Sequence, residues 1–210
     1  ARHQHGKHPR DKGNPDCGDF QTLYTEAMTR TALHKSSVVL IGLMGAGKTT
    51  VGRRLAAAMG RPFNDADHEI ERAADRSVAE IFDDFGEAAF RSGECRVIER
   101  LLDRPIQVLA TGGGAFIDPG TRKAIRGRCI SIWLRADLNV LWHRVNRRSN
   151  RPMLMTADPR GTLEKLIEKR YPIYAEADIT VDSFDGPPEE VVDRVIAAVT
   201  KYICDKGESA

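Results

Sequence analysis

The residues best suited to chemistry stand at Gly42-Leu43-Met44-Gly45-Ala46-Gly47-Lys48-Thr49, which fits the pattern G-x-x-x-x-G-K-[ST]. Glycines in such a turn let successive backbone N–H groups face a phosphate, and the helix that follows offers the positive end of its dipole to the same anion. Lys48 adds a mobile positive charge, and the Thr49 hydroxyl stands where this pattern ligates a Mg²⁺ bridging the outer phosphates. The implied chemistry is the binding of a nucleoside triphosphate, with Gly45, Ala46, Gly47, Lys48, Thr49 and Thr50 as its candidate residues.

Such a loop has to be held between a strand and a helix. Val38-Val39-Leu40-Ile41 precedes it as a buried apolar run, and the apolar residues of Thr50-Val51-Gly52-Arg53-Arg54-Leu55-Ala56-Ala57-Ala58-Met59 recur at helical spacing. These flanks set the motif apart from a plain glycine turn.

A second candidate group follows at Arg61-Pro62-Phe63-Asn64-Asp65-Ala66-Asp67. On an extended segment, acids two residues apart project to the same side, so one of Asp65 and Asp67 would reach a metal's water shell and the other a substrate hydroxyl. The competing account makes Asp67 an N-cap for the helix beginning at His68. Arg91 and Glu94 lie three apart on a helix running to about Leu102, whose buried stripe is Phe90, Val97, Ile98, Leu101 and Leu102. Spacing alone favours a surface ion pair there. Ile106-Gln107-Val108-Leu109-Ala110 reads as a strand running into Thr111-Gly112-Gly113-Gly114, where bare backbone allows close approach of a ligand; the competing account is a flexible loop.

Between Arg144 and Arg151 the chain carries four arginines in eight residues. A basic run is usually a solvated face or a nucleic-acid patch. After a phosphate loop in a neutral body, it reads instead as a mobile lid that closes over the triphosphate.

The elements that must position these groups alternate. Strands near residues 38, 63, 106, 130 and 179 are separated by helices, which predicts an α/β fold of three layers, α/β/α, around a five-stranded parallel sheet. Ser77-Val78-Ala79-Glu80 has the spacing of a capping box, Asp118-Pro119 and Asp137 read as helix starts, and Pro172 bends or ends the helix from Leu163 to Tyr174. A last helix begins at Pro188, with Val191, Val192, Val195, Ile196 and Val199 toward the core.

At 210 residues the chain suits one domain. Its formal net charge of +2 is matched by the excess of six Lys/Arg over four acids before Ser37, leaving a neutral body that gives no support to a nucleic-acid or membrane-surface role. No apolar run approaches the length needed to span a bilayer, and Cys17, Cys95, Cys129 and Cys204 form no C-x-x-C pair. A cytoplasmic monomer is expected. Residues 1–36 read as a disordered extension, with a short helix at 19–34; its His3, His5 and His8 have no preformed metal geometry. Residues 204–210 are expected to fray.

Taken together, the loop containing Met44, Asp65-Ala66-Asp67, Gly86-Glu87 with Phe90-Arg91-Ser92-Gly93-Glu94, Gly112-Gly113-Gly114, Arg151-Pro152-Met153-Leu154 and Arg170-Tyr171-Pro172-Ile173-Tyr174 resemble the shikimate kinase family in order and spacing. The resemblance covers about Ser37 to Tyr202. It implies a nucleoside-monophosphate-kinase-like P-loop fold in a domain at 37–203, with a substrate lobe at about 65–95 and a lid at about 146–160. It implies transfer of the ATP γ-phosphate to the 3-hydroxyl of shikimate on the route to chorismate, with Mg²⁺ as cofactor. On this resemblance Lys48, Asp67 and Arg151 are catalytic, Thr49 and Asp65 serve the metal, and Arg144 lies on the adenine side. Arg91 and Arg170 take the shikimate carboxylate, and Gly112, Gly113 and Gly114 lie beside the ring. Gluconate kinase is the alternative within the same fold. Met153 replaces the family's usual leucine, and Phe184-Asp185-Gly186-Pro187 lacks an arginine that some members set against adenine.

Overall fold

The structure is a computed structural model, and it describes residues 36–147, 154 and 156–207. The expected N-terminal extension with its short helix, Arg151 and Met153, and the last three residues lie outside the described part.

β1 (Ser37–Ile41) is the middle strand, and Val38 to Ile41 are at most 1% exposed, because helices cover both of its faces. It pairs in parallel with β3 (Val108–Ala110) on one side and β4 (Cys129–Arg135) on the other. β2 (Phe63–Asp65) adds to β3 and β5 (Ile179–Asp182) to β4, again in parallel, giving the order β2-β3-β1-β4-β5. From β1 the chain passes to β2 and β3 on one side, and from β3 it crosses back over β1 to β4 and β5 on the other, so the loops after β1 and β3 part at the carboxyl edge and leave a crevice there. Thr111 N and Oγ1 both donate to Leu40 O at 3.1 Å, tying the glycine loop after β3 to the end of β1.

The helices are α1 (Lys48–Ala58), α2 (Ala66–Ala74), α3 (Val78–Leu102), α4 (Pro119–Arg126), α5 (Leu138–Asn146), α6 (Pro159–Tyr174) and α7 (Pro188–Gly207), with a 3₁₀ turn at Ala115–Ile117. Their starts follow the sequence signals. Ser77 and Glu80 form a complete capping box, Asp118 caps α4 with Pro119 at its first position, and Asp137 caps α5. Pro172 sits in the last turn of α6, which ends two residues later at Tyr174.

Two boundaries differ from expectation. β2 stops at Asp65 and α2 begins at Ala66, so Asp67 lies in a helical first turn, and the cap is Asp65, whose side chain accepts from Asp67 N. α7 continues to Gly207, so residues 204–207 are helical; Tyr202 OH donates to Asp178 Oδ1 at 2.7 Å and anchors this last stretch to the sheet.

α3 carries a break at Gly86, where φ 77° and ψ 172° depart from helical values and admit glycine without a Cβ clash. The break lets the chain turn a corner, and Ile70, Ile81 and Phe90 form a second apolar cluster apart from the main core. α2 and the first part of α3 thus rest on a small core of their own, the arrangement expected of a unit that shifts with little cost to the sheet. Among the described residues no helix is long and apolar enough to cross a membrane.

Candidate active site

The loop between β1 and α1 turns through three glycines of positive φ, and Gly47, at φ 94°, is the N-cap that starts α1. Lys48 is the first helical residue, and its Nζ donates to Gly42 O at 2.8 Å and Leu43 O at 3.0 Å, which folds the ammonium back over the loop. Gly45, Gly47, Lys48, Thr49 and Thr50 line a cavity of about 340 Å³ at the carboxyl edge of the sheet. Ala46 is placed differently. It is buried, and its N–H donates to Leu43 O at 3.1 Å, so it shapes the turn from behind.

Thr49 and Asp65 come together as expected, with Thr49 Oγ1 donating to Asp65 Oδ2 at 2.7 Å. The other oxygen of the same carboxylate accepts from Asp67 N at 3.2 Å. Both acids reach the cavity, but by a cap followed by one helical residue, and not by the period of a strand. Asp67 also lines a second, smaller cavity of about 120 Å³ beside the first.

The second cavity holds the arginines. Arg170 is buried, and its Nη1 donates to Gly113 O at 2.9 Å; Tyr174 OH donates to the same carbonyl, and burial pushes that phenol up to about 12. Arg91 reaches in from α3 over the Phe90 ring, 5.2 Å from its centroid, and Gly112, Gly113 and Gly114 form the facing wall. A methyl group on Gly114 would overlap the Arg91 guanidinium, and one on Gly112 would lie 2.5 Å from Glu94 Oε1 and 2.7 Å from Asp67 Oδ1. The triple glycine is therefore a close-packed wall, not a flexible loop. Val78, Phe82 and Phe90 supply an apolar side.

Glu94 corrects the reading of a surface pair. The ion pair exists, at 2.6 Å from Arg91 Nη1, but the Glu94 side chain is only 2% exposed. Burial raises its pKa, Asp67 adds to the rise, and together they outweigh the opposing charges of Arg91 and Arg170. Burial works against the Arg91 charge as well, yet Glu94 and Glu87 more than offset it. Glu94 Oε1 has no hydrogen-bond partner among the described residues. Glu94 thus belongs to the site, and sequence reasoning missed it; the signal was its register with Phe90, Val97 and Leu101.

At the far end of the large cavity, Arg144 donates through Nη1 to Gly45 O at 3.2 Å and Ser183 Oγ at 2.9 Å, and through Nη2 to Phe184 O. It clamps the phosphate loop to the segment after β5, and burial lowers its pKa. Where the sequence lacks an arginine at 184–187, Arg194 of α7 lies over the Phe184 ring at 4.3 Å. Of the arginine run, Arg147 joins Arg144 at this cavity, and Arg151 lies outside the described residues.

A phosphate loop opening α1, joined through one aspartate to an arginine-walled acid pocket on a parallel 2-3-1-4-5 sheet, defines a P-loop kinase of small molecules. The comparisons make this specific. The family model described as "Shikimate kinase" matches residues 44–200. A shikimate kinase of Rhodopseudomonas palustris is 56% identical over 179 residues, covering 85% of this chain and 88% of the relative. A solved structure described as shikimate kinase from Acinetobacter baumannii in complex with shikimate superposes with a TM-score of 0.78 at 36% identity, covering 82% of this chain and 97% of that one. The chain belongs to the shikimate kinase family. A gluconokinase from Sinorhizobium meliloti 1021, at 20% identity and a TM-score of 0.57 over 84% of this chain and 98% of its own, shares the fold and no more.

Proposed function

We propose that this chain transfers the γ-phosphoryl group of ATP to the 3-hydroxyl of shikimate, giving ADP and shikimate 3-phosphate on the route to chorismate and the aromatic amino acids. The observation that carries this reading is the junction of two unlike cavities at Asp67. One has the glycines and Lys48 that suit a polyphosphate. The other has two arginines and apolar side chains that suit a cyclic acid.

In this reading Arg91 and Arg170 hold the substrate carboxylate, each charge-assisted bond contributing about 1.5–3 kcal/mol. Gly113 and Gly114 let the ring approach the backbone, and Asp67 accepts from the 3-hydroxyl and aims its oxygen at the γ-phosphorus. Lys48 and Arg151 bear on the migrating phosphoryl, where little covalent chemistry is asked of the protein and charge neutralisation supplies most of the rate. Arg144 stands on the adenine side.

Mg²⁺ fits the donor set. Thr49 Oγ1 and Asp65 Oδ2 lie 2.7 Å apart at the mouth of the loop, and among the described residues no three His, Cys, Asp or Glu gather as a metal cage. A hard ion that keeps water and phosphate oxygens as its main ligands suits such a site. Thr49 would ligate it and Asp65 would hold its water; when bound it would neutralise phosphate charge. We read the enzyme as a cytoplasmic monomer whose partners are its two small substrates, without nucleic acid or membrane, in keeping with its neutral body.

The test is a coupled ADP-release assay with ATP and a panel of hydroxy acids that includes shikimate and gluconate, run with Mg²⁺ and with a chelator. Turnover is expected with shikimate, and only with the metal present. Turnover with gluconate and none with shikimate would reject the assignment.

A further inference from the structure

We propose that the Met44 side chain shields the phosphoryl path from water, and so decides that the acceptor is a shikimate hydroxyl and not water. This rests on the reading of the two cavities as ATP and shikimate sites. Of the residues lining these cavities, two line both: Asp67 and Met44. Any group passing from one cavity to the other passes these two side chains. Asp67 is a strong acceptor, whereas a thioether offers no donor and only a weak acceptor, so Met44 is the apolar member of an otherwise polar seam.

Local structure fixes it there. Leu43 on one side is buried at 1% exposure, Gly45 on the other has φ 83°, and the residue between them is half-buried, packed on one side against the main core and lining both cavities on the other. Its backbone N lies 3.6 Å from where a Gly113 Cβ would stand, which sets the residue against the glycine wall of the acid pocket. An unbranched, polarizable side chain can fill an irregular gap and still yield to a ring.

The competing reaction is hydrolysis. A water oxygen bonds to the γ-phosphorus, the bond from phosphorus to the bridging oxygen breaks, ADP leaves with that oxygen, and the water proton passes to solvent. Its products are ADP and phosphate. Excluding water from this seam suppresses that branch and leaves transfer to the positioned alcohol. A residue that only packed against the core would, on truncation, lower both branches together.

The wild-type chain, Met44→Leu, Met44→Ala and Met44→Gln are compared with saturating Mg-ATP. Phosphate release without shikimate and shikimate 3-phosphate formation with it are measured on the same samples, and their ratio is independent of the folded fraction. Alanine and glutamine should each raise the ratio of hydrolysis to transfer by roughly tenfold or more. Leucine, close in volume and apolar, should keep it near the wild-type value. A ratio within twofold of wild type in both Met44→Ala and Met44→Gln overturns the proposal while leaving the cavities' assignment intact. A wild type that does not phosphorylate shikimate at all overturns the assignment instead.

Discussion

Replacing Gly114 by alanine separates the architecture of the acid pocket from its chemistry. The backbone at Gly114, with φ −101° and ψ −17°, is one that alanine adopts, so the main chain has no reason to move. The added methyl would, however, land on Nη1, Cζ and Nη2 of Arg91. Those atoms are the far end of a flexible side chain, so the guanidinium gives way and the fold does not. To restore van der Waals separation it must retreat from Gly114 by about 1 Å. If Arg91 binds the substrate carboxylate, the displacement removes a charge-assisted bond of about 1.5–3 kcal/mol, which is about 10- to 150-fold in affinity. Initial rates with shikimate varied at saturating ATP, and the reverse, should give that rise in the shikimate KM and less than a twofold change in the ATP KM. The melting temperature should hold or fall by a few degrees, since the gain from narrowing the unfolded ensemble is set against a loosened pair between Arg91 and buried Glu94. A shikimate KM within twofold of wild type, or equal rises in both KM values, would refute the placement of Arg91 on the carboxylate.

If the Lys48 ammonium serves the migrating phosphoryl and not the acid pocket, Lys48→Ala should lower kcat by about a hundredfold or more at unchanged shikimate affinity; a fall below tenfold in single-turnover rates would count against that role. For Glu94→Gln the expectation is a pH-dependent stability difference. The folded carboxyl is a weaker acid than the unfolded one, chiefly through burial and then through Asp67, so the native state holds its proton where the unfolded state has released it. Wild-type stability from this group is therefore full below the unfolded carboxylate range and declines as pH rises through that range to the raised native value. Glutamine does not titrate, so the melting temperature of the variant minus that of wild type should grow over the interval from the ordinary carboxylate range up to the raised native value. A difference that shrinks over that interval would mean that the Arg91 ion pair outweighs burial.

The middle of the sheet was legible because β1, β3 and β4 are buried on both faces and read as apolar runs between helical patterns, while the edge strand β5 showed instead the alternation of a strand with one face exposed. Caps were legible for the same local reason, since Ser77, Asp118 and Asp137 each bond to an N–H within three residues. The boundary at Asp65 was not, because a strand's last residue and a helix's cap share extended backbone angles, and only the hydrogen bond from Asp67 N tells them apart. The end of α7 depended on contacts remote in sequence. Asp178 accepts from Ser131 N and Oγ as well as from Tyr202 OH, so residues from two strand ends hold the helix that composition alone would let fray.

In the site, the phosphate loop could be read directly, since glycine conformation, the lysine and the helix dipole all act within eight consecutive residues. The acid pocket could be known only by resemblance, because Arg91, Gly113 and Arg170 meet through tertiary packing and their spacing in sequence carries no geometry. Glu94 lies between these cases. Phe90, Glu94, Val97 and Leu101 follow one another at intervals of four, three and four, the register of a single helical face, and Phe90 and Leu101 are buried. A carboxylate in that register cannot be a surface partner. Burying it costs several kcal/mol unless a cation meets it, and Arg91, three residues away, can meet it only by turning into the same interior. The acid on the apolar stripe therefore predicts which way the arginine points, and that direction makes Arg91 a wall of the second cavity.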